Sequence, residues 1–193
     1  MNFDEEQAQI LNQVDSLLAH CEGKGPSWGR YKGDVVCRVV AEHIQRHLPR
    51  DYKVAGPSIY IEGFPWEFDL MVVSTEAKTI QYTNAYQANQ VYYVMEIKKH
   101  GIYGKREELE QIVKTRIKNV FDVIFKNHSQ IKPVYLAIQE TINPTKPGAI
   151  RYADITRKSL DPYPVYVLQD TRGKRLQKGE WQRFIEYITS GLD

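Results

Sequence analysis

Only two of the 193 residues are cysteine, Cys21 and Cys37. Two thiols exclude a disulfide framework and a cysteine-built four-ligand zinc site, so a reducing, cytoplasmic setting is expected. No apolar run approaches the roughly 18 residues of a membrane-crossing helix. The N-terminus, MNFDEEQAQI, lacks the basic start and apolar stretch of a secretory signal. An excess of one charge is missing too. With 26 Lys+Arg against 24 Asp+Glu the net charge is +2, too small for nucleic-acid binding by bulk electrostatics alone. No glycine run ends in the Gly-Lys-Ser/Thr of a phosphate loop, and the five histidines show no metal-ligand spacing, although His43 and His47 are one helical turn apart.

What is present is a globular composition, 42% hydrophobic and 11% aromatic, which is too apolar for a disordered chain. Neither internal repeats nor a low-complexity linker divides it, so one α/β domain over 1–193 is expected. Ile10, Leu11, Val14, Leu17 and Leu18 predict an amphipathic helix within 1–22. Residues 23–33, GKGPSWGRYKG, predict a loop in which Lys24, Arg30 and Lys32 alternate with Trp28 and Tyr31. That mixture suits contact with nucleic acid, and an ordinary connector explains it equally well. A second helix is predicted over 34–48 from Val35, Val36, Val39, Val40, Ile44 and Leu48. It is followed by strands at 58–62, 66–74 and 91–98. A helix over 105–127, strands at 134–139 and 165–169, and a helix over 180–188 complete a mixed sheet flanked by helices.

Two of these strands carry charges that a core strand should avoid. Asp69 sits between Phe68 and Leu70, and Glu96 and Lys98 flank Ile97. Strand residues two apart share a face, so Glu96 and Lys98 project together while Met95 and Ile97 face away. If the two strands pair, Asp69 can lie opposite Glu96, and the two acids then converge. Two converging carboxylates repel unless they share a proton or a cation. A divalent metal resolves that conflict, with Lys98 beside it to position a water or a phosphate. The bland alternatives are a turn aspartate and a cross-strand ion pair.

Asp69 followed by Glu96-Ile97-Lys98, in this order of helix, acidic strand, E-x-K strand, helix and strand, resembles the PD-(D/E)XK nuclease superfamily with its restriction-endonuclease-like fold. The resemblance covers about 29–140, with 141–193 adding a C-terminal strand and helix. It implies Mg²⁺ or Mn²⁺ held by Asp69, Glu96 and the Ile97 carbonyl, Lys98 as catalytic lysine, and DNA cut to leave 5′-phosphates. Pro65 does not adjoin Asp69, so the "PD" half of the signature is absent. Where many members carry a glutamate on the first helix, this chain has Cys37 and Arg38. Glu42 is the candidate acid there, with Asp34 the other near one, and Gln111 is the candidate glutamine on the following helix. Lys114 and Lys118 are candidate phosphate contacts on that helix. Partner expectations are DNA of unspecified form and a homodimer. The alternative is a nuclease-fold module that binds nucleic acid or protein without cutting.

Overall fold

The computed structural model describes residues 2–21, 26–100, 105–143, 150–172 and 174–192. Helix α1 (Phe3–Ala19) starts where the Asn2 side chain accepts the Asp4 N–H at 3.0 Å. Its first turn is acidic, as the helix dipole favours. Helix α2 (Pro26–Gln45) begins eight residues before the predicted start. Most of the expected 23–33 loop is therefore helical. Pro26 is tolerated in a first turn, and Gly29 and Gly33 cost only about 1 kcal/mol each, which packing of α2 on α1 and the sheet outweighs.

Strands β1 (Tyr52–Ala55), β4 (Leu70–Ser74), β6 (Val91–His100), β7 (Lys132–Glu140), β8 (Val165–Asp170) and β9 (Arg175–Leu176) form the main sheet in the order β1-β4-β6-β7-β8-β9. The β6-β7-β8 centre is parallel and the flanking pairs are antiparallel. A small second sheet, β3-β2-β5, comprises β2 (Ile59–Ile61), β3 (Glu67–Phe68) and β5 (Ala85–Tyr86). The strand predicted over 66–74 is thus two strands in two sheets, and Asp69 is the residue between them. One face of the main sheet buries Leu70, Val72, Met95 and Leu136 under α1, α2 and α6 (Glu180–Thr189). The other packs Met71, Val94, Tyr135 and Ala137 against the small sheet, α3 (Arg106–Ile112), α4 (Asn119–Asn127) and α5 (Tyr152–Leu160). Because β6 and β7 are covered on both faces, their central stretches, 91–95 and 133–138, read as apolar runs.

Two differences from expectation have physical causes. Between α3 and α4 the helix widens into a π-helical turn over Val113–Lys118. The buried residues Leu109, Val113, Ile117 and Phe121 recur every four positions. A 3.6-residue helix would rotate that stripe off the sheet, and the wider turn keeps it there. Helix α5 was not expected, because its buried side is half polar: Thr156 and Ser159 lie inward with Ala153 and Leu160.

Thr156 donates to Glu140 Oε1 at 2.8 Å, while Oε2 of this fully buried carboxyl has no partner among the described residues. Burial raises the Glu140 pKa to about 7, against smaller opposing effects of Thr156 and Arg157. A folded pKa above the unfolded value means stability is lost as pH rises from about 4.5 through 7, by about 3 kcal/mol in the limit. Glu140→Gln is therefore expected to be the more stable protein in urea at pH 8, with the difference vanishing near pH 4.5. A constant difference across that range would show that Glu140 ionises freely.

Candidate functional site

The β4–β6 register, Leu70↔Met95, places Asp69 across from Glu96. Asp69 has left the ladder, and its Oδ2 accepts the Ile97 N–H at 2.7 Å, so the carboxylate substitutes for a main-chain acceptor at the break. Lys98 Nζ lies 2.5 Å from Glu96 Oε1 and 3.4 Å from Asp69 Oδ2. All three side chains are partly exposed. The position of Asp69 is enforced from behind. At Gly56 (φ +136°) a Cβ would stand 2.5 Å from the Asp69 carbonyl oxygen and 2.8 Å from Leu70 Cδ2, so no side chain fits there.

The electrostatics follow from that geometry. Burial raises the Glu96 pKa above the ordinary carboxylate range; Lys98 opposes the shift and Asp69 adds to it. Burial alone would lower the Lys98 pKa, but the Glu96 and Asp69 carboxylates overcome it and hold the ammonium firmly protonated. From α2, the buried Cys37 thiol faces this group: burial and then the Asp69 charge push its pKa up, so it is a packed neutral side chain and no nucleophile.

Asp69, Ile97, Lys98, Lys99 and His100 open into a cleft of about 600 Å³, closed on the helical side by Leu18, Gly29, Lys32 and Gly33. On its other side Glu96 lines a smaller depression with Glu67, Arg116 and Trp66. Among the described residues no three His, Cys, Asp or Glu side chains are grouped to hold a metal. The donors that meet here are the carboxylates of Asp69 and Glu96, both hard oxygen ligands. One or two carboxylates with waters and substrate phosphates is the usual Mg²⁺ donor set, and the Lys98 ammonium already holds a positive charge between the acids. The residues therefore fit a hard divalent ion.

The other candidate residues fall elsewhere. Glu42 is not brought to the cleft: it bonds Arg46 at 2.6 Å and lines a separate depression with Asn12, Gln13 and Ser16. Asp34, one turn before Cys37 on α2, is near enough for its charge to act on that thiol. Gln111 is exposed, and its backbone carbonyl accepts the Thr115 hydroxyl. Lys118 pairs with Asp122 at 3.1 Å beside the Tyr163 ring, and Lys114 is exposed. Arg30 is tied to Glu67 at 2.8 Å, a carboxylate that also accepts from Ser58 and Tyr60. Lys32 lines the cleft, and Lys24 lies outside the described residues. The Ile97 amide and the Gly56 contact were not foreseen. The only local signal for the second was Gly-Pro at 56–57, which marks a turn and nothing more.

No protein-family model matches the sequence, and no curated protein resembles it at sequence level. Solved structures do resemble it. NucC of P. aeruginosa ATCC27853 in its cAAA-bound form superposes with a TM-score of 0.60 at 13% identity, covering 96% of this chain and 88% of that one. NucC of E. coli MS115-1, also cAAA-bound, gives 0.60 at 14% identity with the same coverage. The apo form of that protein gives 0.55 at 12%, covering 96% and 89%. The likeness spans nearly the whole chain and is accompanied by an acid at a strand break opposite an E-x-K strand. The chain has the fold of these NucC structures, a mixed α/β sheet flanked by helices.

Proposed function

We propose that the protein is a divalent-metal-dependent nuclease that hydrolyses DNA phosphodiester bonds at the Asp69, Glu96 and Lys98 cluster. The observation that carries this reading is the meeting of two carboxylates and an ammonium at a strand break that opens into a cleft. Asp69, Glu96 and Lys98 keep 22–34% of their side chains exposed, whereas a purely structural ion pair would be closed over.

Asp69, Glu96 and the Ile97 carbonyl would hold Mg²⁺ or Mn²⁺, which when bound polarises a phosphoryl oxygen and acidifies a water. The chain's own groups supply the rest. Asp69 is oriented by the Ile97 amide and by the tight contact at Gly56. Lys98, kept protonated, donates hydrogen bonds to a phosphate oxygen and stabilises the charge that develops on it. Lys32, across the cleft, adds a second cation for the strand. NucC structures share the fold, and among the described residues no helix is long and apolar enough to cross a membrane.

Incubation with supercoiled plasmid and with linear duplex DNA in Mg²⁺ or Mn²⁺ tests the proposal. Nicked or shortened products with 5′-phosphates are expected, together with full arrest by EDTA. Binding without cleavage in both metals would favour the inactive binding module.

A further inference from the structure

A second depression, of about 370 Å³, is lined by His20, Cys21, Trp28 and Tyr31, which alternate along the chain with the cleft residues Leu18, Gly29 and Lys32. The Trp28 and Tyr31 rings meet edge to face at 5.7 Å, with Trp28 39% and Tyr31 52% exposed. Both are on α2 at i and i+3, and Lys32, the next residue, lines the cleft instead. Gly29 and Gly33, one residue further round, line the cleft with Asp69 and Lys98, and so does Lys32. The five steps of helix from 28 to 33 rise about 7.5 Å, roughly two stacked nucleotides. One short stretch of α2 therefore walls an aromatic depression on one side and the cleft that holds Asp69 and Lys98 on the other.

We propose that the Trp28–Tyr31 depression receives an unpaired nucleobase from the strand whose phosphate lies in the cleft. The preferred substrate is then DNA with single-stranded character beside the cut. This inference rests on the nuclease reading and narrows its substrate. Aromatic faces stack any base, and the cationic Lys32 between the two depressions suits the linking phosphate. A second protein copy fits less well. The exposed parts of the two rings come to roughly 200 Å², against about 800 Å² per partner in a stable interface.

The test is fluorescence anisotropy in EDTA with a labelled single-stranded oligonucleotide and a blunt duplex of the same sequence. Trp28→Ala is expected to reduce the ratio of single-strand to duplex affinity about tenfold, and Trp28→Phe to restore most of it. The salt dependence of single-strand binding should keep its slope, because stacking releases no counterions. Thermal unfolding of each variant reports whether the fold is intact. Equal weakening on both DNAs, or no weakening, overturns the proposal. So does a fall in sedimentation mass in Trp28→Ala with the affinity ratio unchanged, which would make the surface a self-association site. Cleavage by the unaltered protein is measured in parallel with Mg²⁺ and Mn²⁺. Its absence sinks the nuclease reading, while the binding ratio still decides the base pocket.

Discussion

Asp69→Asn is expected to lose DNA cleavage by about 10³-fold while unfolding within a few degrees of the unaltered protein. The amide keeps an oxygen to accept the Ile97 N–H, so the strand break stays as it is. What disappears is one negative charge from a site where Glu96 already sits above its ordinary pKa through burial, with Asp69 adding to the shift. Removing that charge relieves repulsion in the metal-free protein, so stability should be unchanged or slightly higher. The same loss deprives a divalent ion of one of two carboxylates, and loss of a group that stabilises transition-state charge costs factors of this order. Lys98→Met should be equally inactive for a different reason. It leaves Glu96 and Asp69 facing each other without their cation, so the variant should also be less stable until metal is added. Nicking rates and thermal midpoints, each with and without Mn²⁺, separate the two behaviours. Asp69→Asn cutting within tenfold of the unaltered rate would mean that the chemistry lies elsewhere.

The largest stability effect is expected far from the cleft. Glu6 is 2% exposed and accepts from His43 Nδ1 at 2.9 Å, His47 Nε2 at 2.7 Å and Trp181 Nε1 at 3.0 Å. These bonds join α1, the C-terminal end of α2 and α6 over one face of the sheet. Burial works to raise the Glu6 pKa, and the bonds from His43, Trp181 and His47 together outweigh it and lower it. A folded pKa below the unfolded value stabilises the protein above about pH 4.5, and the contribution is lost as pH falls through the folded value. Glu6→Ala leaves two imidazoles and an indole N–H without their acceptor in the core. About 3–5 kcal/mol of stability should go with it at pH 7, the range for breaking a buried pair. Urea unfolding at pH 7 and pH 4 measures both parts, and the gap between variant and parent should narrow at the lower pH. A loss under 1 kcal/mol at pH 7 would show that His43, His47 and Trp181 find other partners.

The elements carried by strong local patterns were legible without coordinates. Strand β6 announced itself through Val91, Tyr93, Val94, Met95 and Ile97, and α1 through Ile10, Leu11 and Val14. The features that escaped depend on partners distant in the chain. Gly29 and Gly33 punctuate a local reading, yet α2 runs through them because α1 and β6 pack against the same helix. Thr156 and Ser159 conceal α5, since a buried hydroxyl with a partner looks polar in sequence. Glu42 and Asp34 flank Cys37 about equally in the chain, and only the packing of α2 shows that Glu42 is turned away from the cluster to Arg46.

Sequence alone determined that Glu96 and Lys98 share one face of a strand, because alternation is a property of the extended backbone. It also showed that an acid at position 69 within an apolar run needs a partner. Tertiary structure decided the rest. It placed the break between β3 and β4 at Asp69, put the Ile97 amide within 2.7 Å of that carboxylate, and set Gly56 where any Cβ would displace it. It also laid α2 so that Lys32 faces the cleft while Trp28 and Tyr31 face the depression beside it. The reason is the same throughout. Local preferences act within a few residues, whereas a site is made by register and packing between segments dozens of residues apart.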